Sequence, residues 1–394
     1  MDMDQLVAAL RPQARNAPES GIVEVMNYGR ERPGLIPLWA GEGDRPTPSF
    51  ICDAASRSLA AGETFYTWQR GIPELREALA RYHERLYGRP FPAERFFITG
   101  SGMQAIEIAI QAIAGAGDEI LVPTPAWPNF AAALGVMGGT PVEVPMTFGN
   151  AGWTLDIDRL KAAVTPRTKA IFLNTPCNPT GWVASHDYLR EVLAFAREKG
   201  LWIVADEVYG RFYYGDGPRA PSFYDVAEPD EKILFVNTFS KNWAMTGWRI
   251  GWISAPPALG DVIENLIQYS TSGVAVFMQR AAVVALDEGE DFVAWQIAQA
   301  RRGRDIVCDA LAATGHARFA VPEGAFYLFF AVDKEPDTAR LGLRLVDEAN
   351  VGLAPGTAFG KAGAGFARLC FARGEEQLTE AASRLARWLT EGAD

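Results

Sequence analysis

Phe96-Phe97-Ile98-Thr99-Gly100-Ser101-Gly102-Met103-Gln104-Ala105 is the stretch whose reading decides the fold. A short apolar run passes through two glycines and a serine into a helical pattern from Gln104 to Ala114. The same alternation continues with Glu119-Ile120-Leu121-Val122, Pro141-Val142-Glu143-Val144 and Ala170-Ile171-Phe172-Leu173-Asn174. Leu201-Trp202-Ile203-Val204-Ala205 and Ile233-Leu234-Phe235-Val236 extend the series. These runs are continuously apolar rather than alternating, as strands buried on both faces of a mainly parallel sheet require. Stretches between them, such as Asp187 to Lys199, have helical length and spacing. The pattern predicts a doubly wound α/β architecture.

Outward from this region the pattern changes. Beyond Asp287-Glu288-Gly289 a helical segment from Asp291 to Ala313 precedes an apolar run at Ala325 to Val332. Arg340 to Asn350 and a closing helix from Glu375 to Thr390 follow, a mixture expected of a smaller α+β domain. The first 40 residues are punctuated by Pro12, Pro18, Pro33 and Pro37 and read as an irregular arm. The expected division is an arm over 1–44, a large domain over 45–285 and a small domain over 286–394.

Composition narrows the function classes. The 394 residues are 48% apolar and 22% charged, ordinary values for a globular chain. A net charge of −11 gives no general basic footprint for nucleic acid. No run approaches the roughly 20 apolar residues of a membrane span, and Met1-Asp2-Met3-Asp4 lacks the layout of a secretory signal, so the expected location is cytoplasmic. The four cysteines (Cys52, Cys177, Cys308, Cys370) and three histidines (His83, His186, His316) are scattered, which argues against a disulfide scaffold and against a metal site. No G-x-S-x-G elbow supports triad hydrolysis. Lysine is scarce: of 37 basic residues only Lys161, Lys169, Lys199, Lys232, Lys241, Lys334 and Lys361 are lysines.

Three features come directly after the carboxyl ends of predicted strands, where α/β sheets place ligands. Gly100-Ser101-Gly102 opens a helix and offers backbone N–H groups to an anion. The same loop fits a G-x-G-x-x-A dinucleotide fingerprint, with Glu119 at about the right distance for a ribose, and also fits a plain tight turn. Asp206, in Ala205-Asp206-Glu207-Val208-Tyr209, directly follows an apolar strand, where an unpaired carboxylate is costly. Lys241, in Thr238-Phe239-Ser240-Lys241-Asn242-Trp243, lies among aromatics, with Arg249 eight residues on. A lysine in a partly dry setting beside other positive charge loses its proton readily and attacks aldehydes. Lysine, phosphate site and buried aspartate together specify a phosphorylated pyridine aldehyde.

With these motifs in view, the chain resembles a fold-type I, pyridoxal-phosphate-dependent aminotransferase of the class I/II, aspartate aminotransferase-like family over nearly its whole length. The resemblance is carried by Ser240-Lys241 through Met245-Thr246-Gly247-Trp248-Arg249, by Asn178-Pro179-Thr180-Gly181 and by Asp206-Glu207-Val208-Tyr209. Gly71-Ile72-Pro73-Glu74-Leu75-Arg76, Pro322-Glu323-Gly324-Ala325-Phe326-Tyr327 and Arg368-Leu369-Cys370-Phe371-Ala372 occur in the same order as in the family. It implies a mainly parallel seven-stranded sheet in the large, cofactor-binding domain, and a small domain built from the C-terminal part with the N-terminal segment.

The resemblance also implies roles. Lys241 is the Schiff-base lysine, Asp206 keeps the pyridine nitrogen protonated, and Asn178 and Tyr209 hydrogen-bond the ring oxygen. Trp127 stacks on the ring. Ser101, Gly102 and Met103, with Thr238, Ser240 and Arg249, hold the phosphate, joined by Tyr66 from a neighbouring subunit. Arg368 clamps the substrate carboxylate, and Gly41 and Asn178 lie beside the substrate. The implied activity is ping-pong transfer of an amino group from an L-amino acid to a 2-oxo acid, in a homodimer with shared sites. A C–S β-lyase or aminocyclopropane-carboxylate synthase-like reaction is the alternative on the same cofactor, and a nucleotide-binding dehydrogenase the remote one. Glu42-Gly43-Asp44 departs from the family's Glu-Pro-Asp, and Cys370 stands where serine is common. Trp39, Trp68, Trp243 and Tyr66 are candidates for an aromatic-walled substrate pocket, as against core positions, and Arg70 for reading a second carboxylate, as against a solvated loop arginine.

Overall fold

The computed structural model describes residues 3–332, 335 and 337–391; Lys334 and the first two residues of the acidic start lie outside them. The predicted strands assemble into one seven-stranded sheet. Its spatial order is Phe96–Thr99, Gly251–Ser254, Ile233–Thr238, Trp202–Asp206, Thr168–Asn174, Glu119–Thr124 and Thr140–Pro145. All neighbours are parallel except Gly251–Ser254, which runs antiparallel to both strands beside it. That strand is not among the predicted ones: it opens on Gly251, just behind the 245–249 motif, and its apolar run merges with that motif.

The expected buried run over 141–144 is corrected: its strand Thr140–Pro145 is the sheet edge and mostly exposed or half-buried, with only Val144 buried. The other continuous apolar runs are explained by two cores. Alternate residues of each strand point to opposite faces. Phe97, Ile120, Phe172, Val204 and Leu234 pack with the helix Gly102–Ile113 on one face. Ile98, Leu121, Ile171, Ile203 and Phe235 join the core of the other face, with helices Pro73–Tyr87, His186–Lys199 and Val276–Glu288. A third core lies around a four-stranded sheet of order Ala317–Phe319, Tyr327–Val332, Phe366–Cys370 and Ala354–Pro355. The long helix Glu290–Thr314 and the closing helix Glu375–Thr390 supply part of that core.

The first 40 residues are not irregular. They form helices Met3–Ala8, Pro12–Arg15 and Gly21–Gly29 and the short strand Ile36–Pro37, which pairs in parallel with Val351–Gly352. Pro12 interrupts nothing: it sits at the start of a helix, where a missing N–H removes no helical bond. The pairing joins two segments more than 300 residues apart and brings the arm against the C-terminal sheet.

The register of Gly251–Ser254 fixes where the loops of the sheet edge meet. Gly251 lies opposite both Thr99 and Thr238, so the Ser101–Gly102 turn, the Thr238–Lys241 segment and Arg249 converge on one edge of the sheet. A Cβ on Gly251 would lie 2.7 Å from the Asn237 carbonyl oxygen and 2.8 Å from the Gly102 nitrogen. Both obstacles are backbone, so neither can swing aside. Gly251→Ala should therefore destabilise the fold by about 1–3 kcal/mol through overpacking, read as a lower denaturation midpoint. An unchanged midpoint would show that the turn gives way freely.

Candidate active site

A cavity of about 440 Å³ opens at the carboxyl edge of the seven-stranded sheet. Of the residues expected at the site, Gly41, Gly102, Met103, Trp127, Asn178, Asp206, Tyr209, Thr238, Ser240, Lys241, Arg249 and Arg368 line it together. Ser101 does not line it; its hydroxyl accepts from the Gln104 N–H at 3.1 Å and caps the helix. Tyr66 is 94% exposed in the single chain and stands apart from the cavity.

Lys241 follows strand Ile233–Thr238, and its ammonium donates to the Gly41 carbonyl oxygen at 2.7 Å. Removal from water, with the charges of Arg368 and Arg249 nearby, lowers this amine to about 8. Asp206 ends the neighbouring strand and is 3% exposed. Burial pushes its carboxyl up to about 7, against the pull of the Val208 N–H, Lys241 and Asn174. The Val208 N–H donates to Oδ1 at 3.3 Å. Asn174 donates to the Asp206 carbonyl at 3.1 Å and accepts from the Asn178 N–H at 2.7 Å, which ties the two strand ends together.

Tyr209 and Tyr327 share a hydroxyl–hydroxyl bond of 2.8 Å. Burial raises the Tyr209 phenol well above its ordinary range, so it stays protonated. Arg368 comes from the four-stranded sheet. One guanidinium nitrogen donates to Asn178 Oδ1 at 3.0 Å, the other to the Trp39 carbonyl, and its Nε is buried without a partner. Its plane lies over the Tyr327 ring at 4.5 Å. Gly41 is tight here, because a Cβ would come within 2.3 Å of the Tyr327 hydroxyl.

The anion end is built from three loops. Thr238 Oγ1 and Ser240 Oγ are 2.9 Å apart, Arg249 donates to the Thr246 carbonyl at 2.6 Å, and the helix Gly102–Ile113 begins beside them. Free N–H groups and the positive end of that helix suit a phosphate. Ser101 at φ 134° and Arg249 at φ 52° hold backbone conformations unusual for residues with side chains; such strain gathers at ligand sites. Gln104 braces the loop, accepting from the Gly100 N–H and donating to Ser270 and Thr271 at 2.8 and 3.1 Å.

The residues fit a phosphorylated pyridine aldehyde on the structure's own terms. A buried carboxyl facing the cavity with few donors calls for a cation, an amine lowered toward neutrality suits a carbonyl, and the helix start suits a phosphate. Tyr327, Asn174 and Gln104 join the site although the sequence reading assigns them no role; their roles depend on partners far away in the chain. Other expectations are corrected. Glu119 lies at the start of its strand, bonded to Thr165 and Arg167, so it cannot serve a ribose at the cavity edge. Arg70 is held by Glu264 at 2.6 Å and Asp261 at 2.7 Å and does not line the cavity. Of the four aromatics proposed as a pocket, Trp39 alone lines it; Trp243 is core, and Trp68 and Tyr66 face outward. Among the described residues no helix is long and apolar enough to cross a membrane, and no group of three or more His, Cys, Asp or Glu side chains is placed to hold a metal ion.

The profile of the aminotransferase class I and II family matches residues 34–385. The chain is 36% identical over 364 residues to a probable aspartate/prephenate aminotransferase of Aquifex aeolicus, covering 91% of each. It is 34% identical over 390 residues to aromatic-amino-acid aminotransferase 2 of Thermococcus litoralis, covering 97% of this chain and 99% of that one. The solved structure of aspartate aminotransferase from Thermotoga maritima superposes with a TM-score of 0.91 at 32% identity, over 97% of this chain and 100% of that one. Cavity, fold and relatives agree: this chain belongs to the class I and II aminotransferases and is a pyridoxal-phosphate-dependent transaminase.

Proposed function

We propose that the chain transfers the amino group of an L-amino acid to a 2-oxo acid in two half-reactions, with Lys241 as the Schiff-base lysine and proton carrier. The observation that carries this reading is the convergence of Lys241, the buried Asp206 carboxyl and the Gly102 helix start on one cavity, where burial lowers the amine and raises the carboxyl. Pyridoxal 5′-phosphate, when bound, supplies an electron sink that acidifies the substrate Cα–H.

The chain's residues do the rest. Asp206 provides the buried negative charge that keeps the ring nitrogen protonated. Trp127, which lines the cavity, would cover the ring, and Asn178 and Tyr209 would donate to its oxygen, Tyr209 being held in place by Tyr327. Gly102, Met103, Thr238, Ser240 and Arg249 bind the phosphate, with Ser101 shaping the loop. Arg368 has five N–H donors in a planar fork, two of them spent on Trp39 and Asn178, and the others remain for a carboxylate. Lys241 Nζ, beside the Gly41 carbonyl, moves the proton taken from Cα.

The unit works best as a homodimer in the cytoplasm, with residues 1–44 as an arm, 45–285 as the cofactor domain and 286–394 as the small domain. Support for the dimer comes from an exposed aromatic face over residues 65–68: Phe65, Tyr66 and Trp68 are 83, 94 and 62% exposed, an unusual aromatic surface for a monomer. Tyr66 on that face would complete the partner's phosphate site.

Three outcomes are expected. Lys241→Ala should abolish turnover and the absorbance of protein-bound cofactor; wild-type values for both would refute the assignment. Uptake of pyridoxal phosphate by the apoprotein should accelerate as pH rises through about 8, because the attacking amine must be neutral and its value is lowered from 10.5; a midpoint near an ordinary lysine's ~10.4 would place Lys241 in water instead. In light scattering the protein should show twice the chain mass, and Tyr66→Phe should release cofactor more readily during gel filtration while remaining dimeric. Equal retention would remove Tyr66 from the site.

A further inference from the structure

Once the carboxylate and amino group of a substrate are held, one amino acid differs from another only in its side chain. What reads it is the rest of the cavity wall. The arm helix Gly21–Gly29 lays Ile22 and Met26, four residues apart and so on one helical face, along the cavity. Both are half-buried, with Val25 between them anchored in a small core with Trp39 and Val346. Trp39, Met103 and Ile106 continue the apolar wall.

Charge on that wall is one-sided. Among the described residues, the cationic side chains lining the cavity are Lys241, Arg249 and Arg368. Each is committed in the transaminase reading, to the aldehyde, the phosphate and the α-carboxylate. Arg70 is neutralised by Asp261 and Glu264. Next to the cavity-lining Thr246, the Glu42 carboxylate accepts from the Thr246 hydroxyl at 3.0 Å. Among the described residues of one chain, the lining leaves a second substrate carboxylate apolar carbon to meet and no uncommitted cation, with the Glu42 carboxylate one residue behind the wall.

We infer that the preferred substrates carry uncharged apolar or aromatic side chains, read by Ile22 and Met26 of the arm helix, and that dicarboxylic amino acids are poor substrates. The inference rests on the transaminase reading of this cavity and parts from the aspartate named for the Aquifex and Thermotoga relatives. It also gives the arm a function, since the helix that reads the side chain belongs to neither sheet.

The test uses the holoenzyme in single half-reactions, following loss of the protein-bound cofactor absorbance with L-phenylalanine, L-leucine, L-aspartate and L-glutamate. Phenylalanine and leucine should exceed aspartate and glutamate by roughly a hundredfold in kcat/KM. Aspartate or glutamate equal to or better than both would overturn the inference and leave the transaminase reading standing. No reaction with any amino acid would overturn both. Met26→Arg places a cation on the wall and should raise the aspartate-to-phenylalanine ratio at least about tenfold. Ile22→Arg, one turn earlier, tests the same point if Met26→Arg fails to fold. An unchanged ratio in a folded variant would remove the arm helix from substrate selection.

Discussion

The carboxyl of Asp206 ends a strand inside the protein, and its desolvation is the constraint on which the rest of the site depends. Left alone, such a group keeps its proton, and burial pushes this one up to about 7. A cation brought against such an acid restores its charge. Lys241 is set by the opposite effect. Its amine is lowered by the same dry surroundings and by two arginines, leaving it near neutrality and reactive toward a carbonyl. One cavity thus tunes an acid upward and an amine downward, and both shifts come chiefly from exclusion of water.

Lining that cavity requires parts of the chain that are distant in sequence. Arg368 reaches from the four-stranded sheet to Asn178 and to the Trp39 carbonyl, and Gly41 receives the Lys241 ammonium. Tyr327 meets Tyr209 across the same gap. The pairing of Ile36–Pro37 with Val351–Gly352 delivers the arm to its place above these contacts. Arm, large sheet and small sheet are therefore joined where the chemistry lies. The Glu42-Gly43-Asp44 segment runs through this junction, its Glu42 bonded to Thr246 and its Asp44 to the Gly374 N–H at 2.7 Å.

Much of the sheet and the core of the site are legible in local pattern. Strands buried on both faces leave unbroken apolar runs, and the residues just beyond their carboxyl ends are marked by glycine, a stranded acid and a lysine among aromatics. Legibility fails where meaning lies in a partner far along the chain. Arg70 reads as free, yet Asp261 and Glu264 hold it. Glu119 has the spacing of a ribose ligand but stands at the wrong end of its strand, tied to Arg167. Trp39 and Trp243 are alike in composition, and only packing separates a cavity wall from a core. The helical arm is hidden because proline breaks a helix interior and starts a helix equally well.

By itself, the sequence determined the layered α/β architecture and the family, because each is written in periodicity or in residues that are neighbours in the chain. Only the tertiary structure decided which cations are paired, which aromatics face the cavity and which helix lies along it. Pairing and burial are properties of side chains brought together from separate segments, and no local pattern records them. For this protein that difference separates the groups around Lys241, which are neighbours in the chain, from the cavity wall, to which Ile22 and Met26 come from the arm.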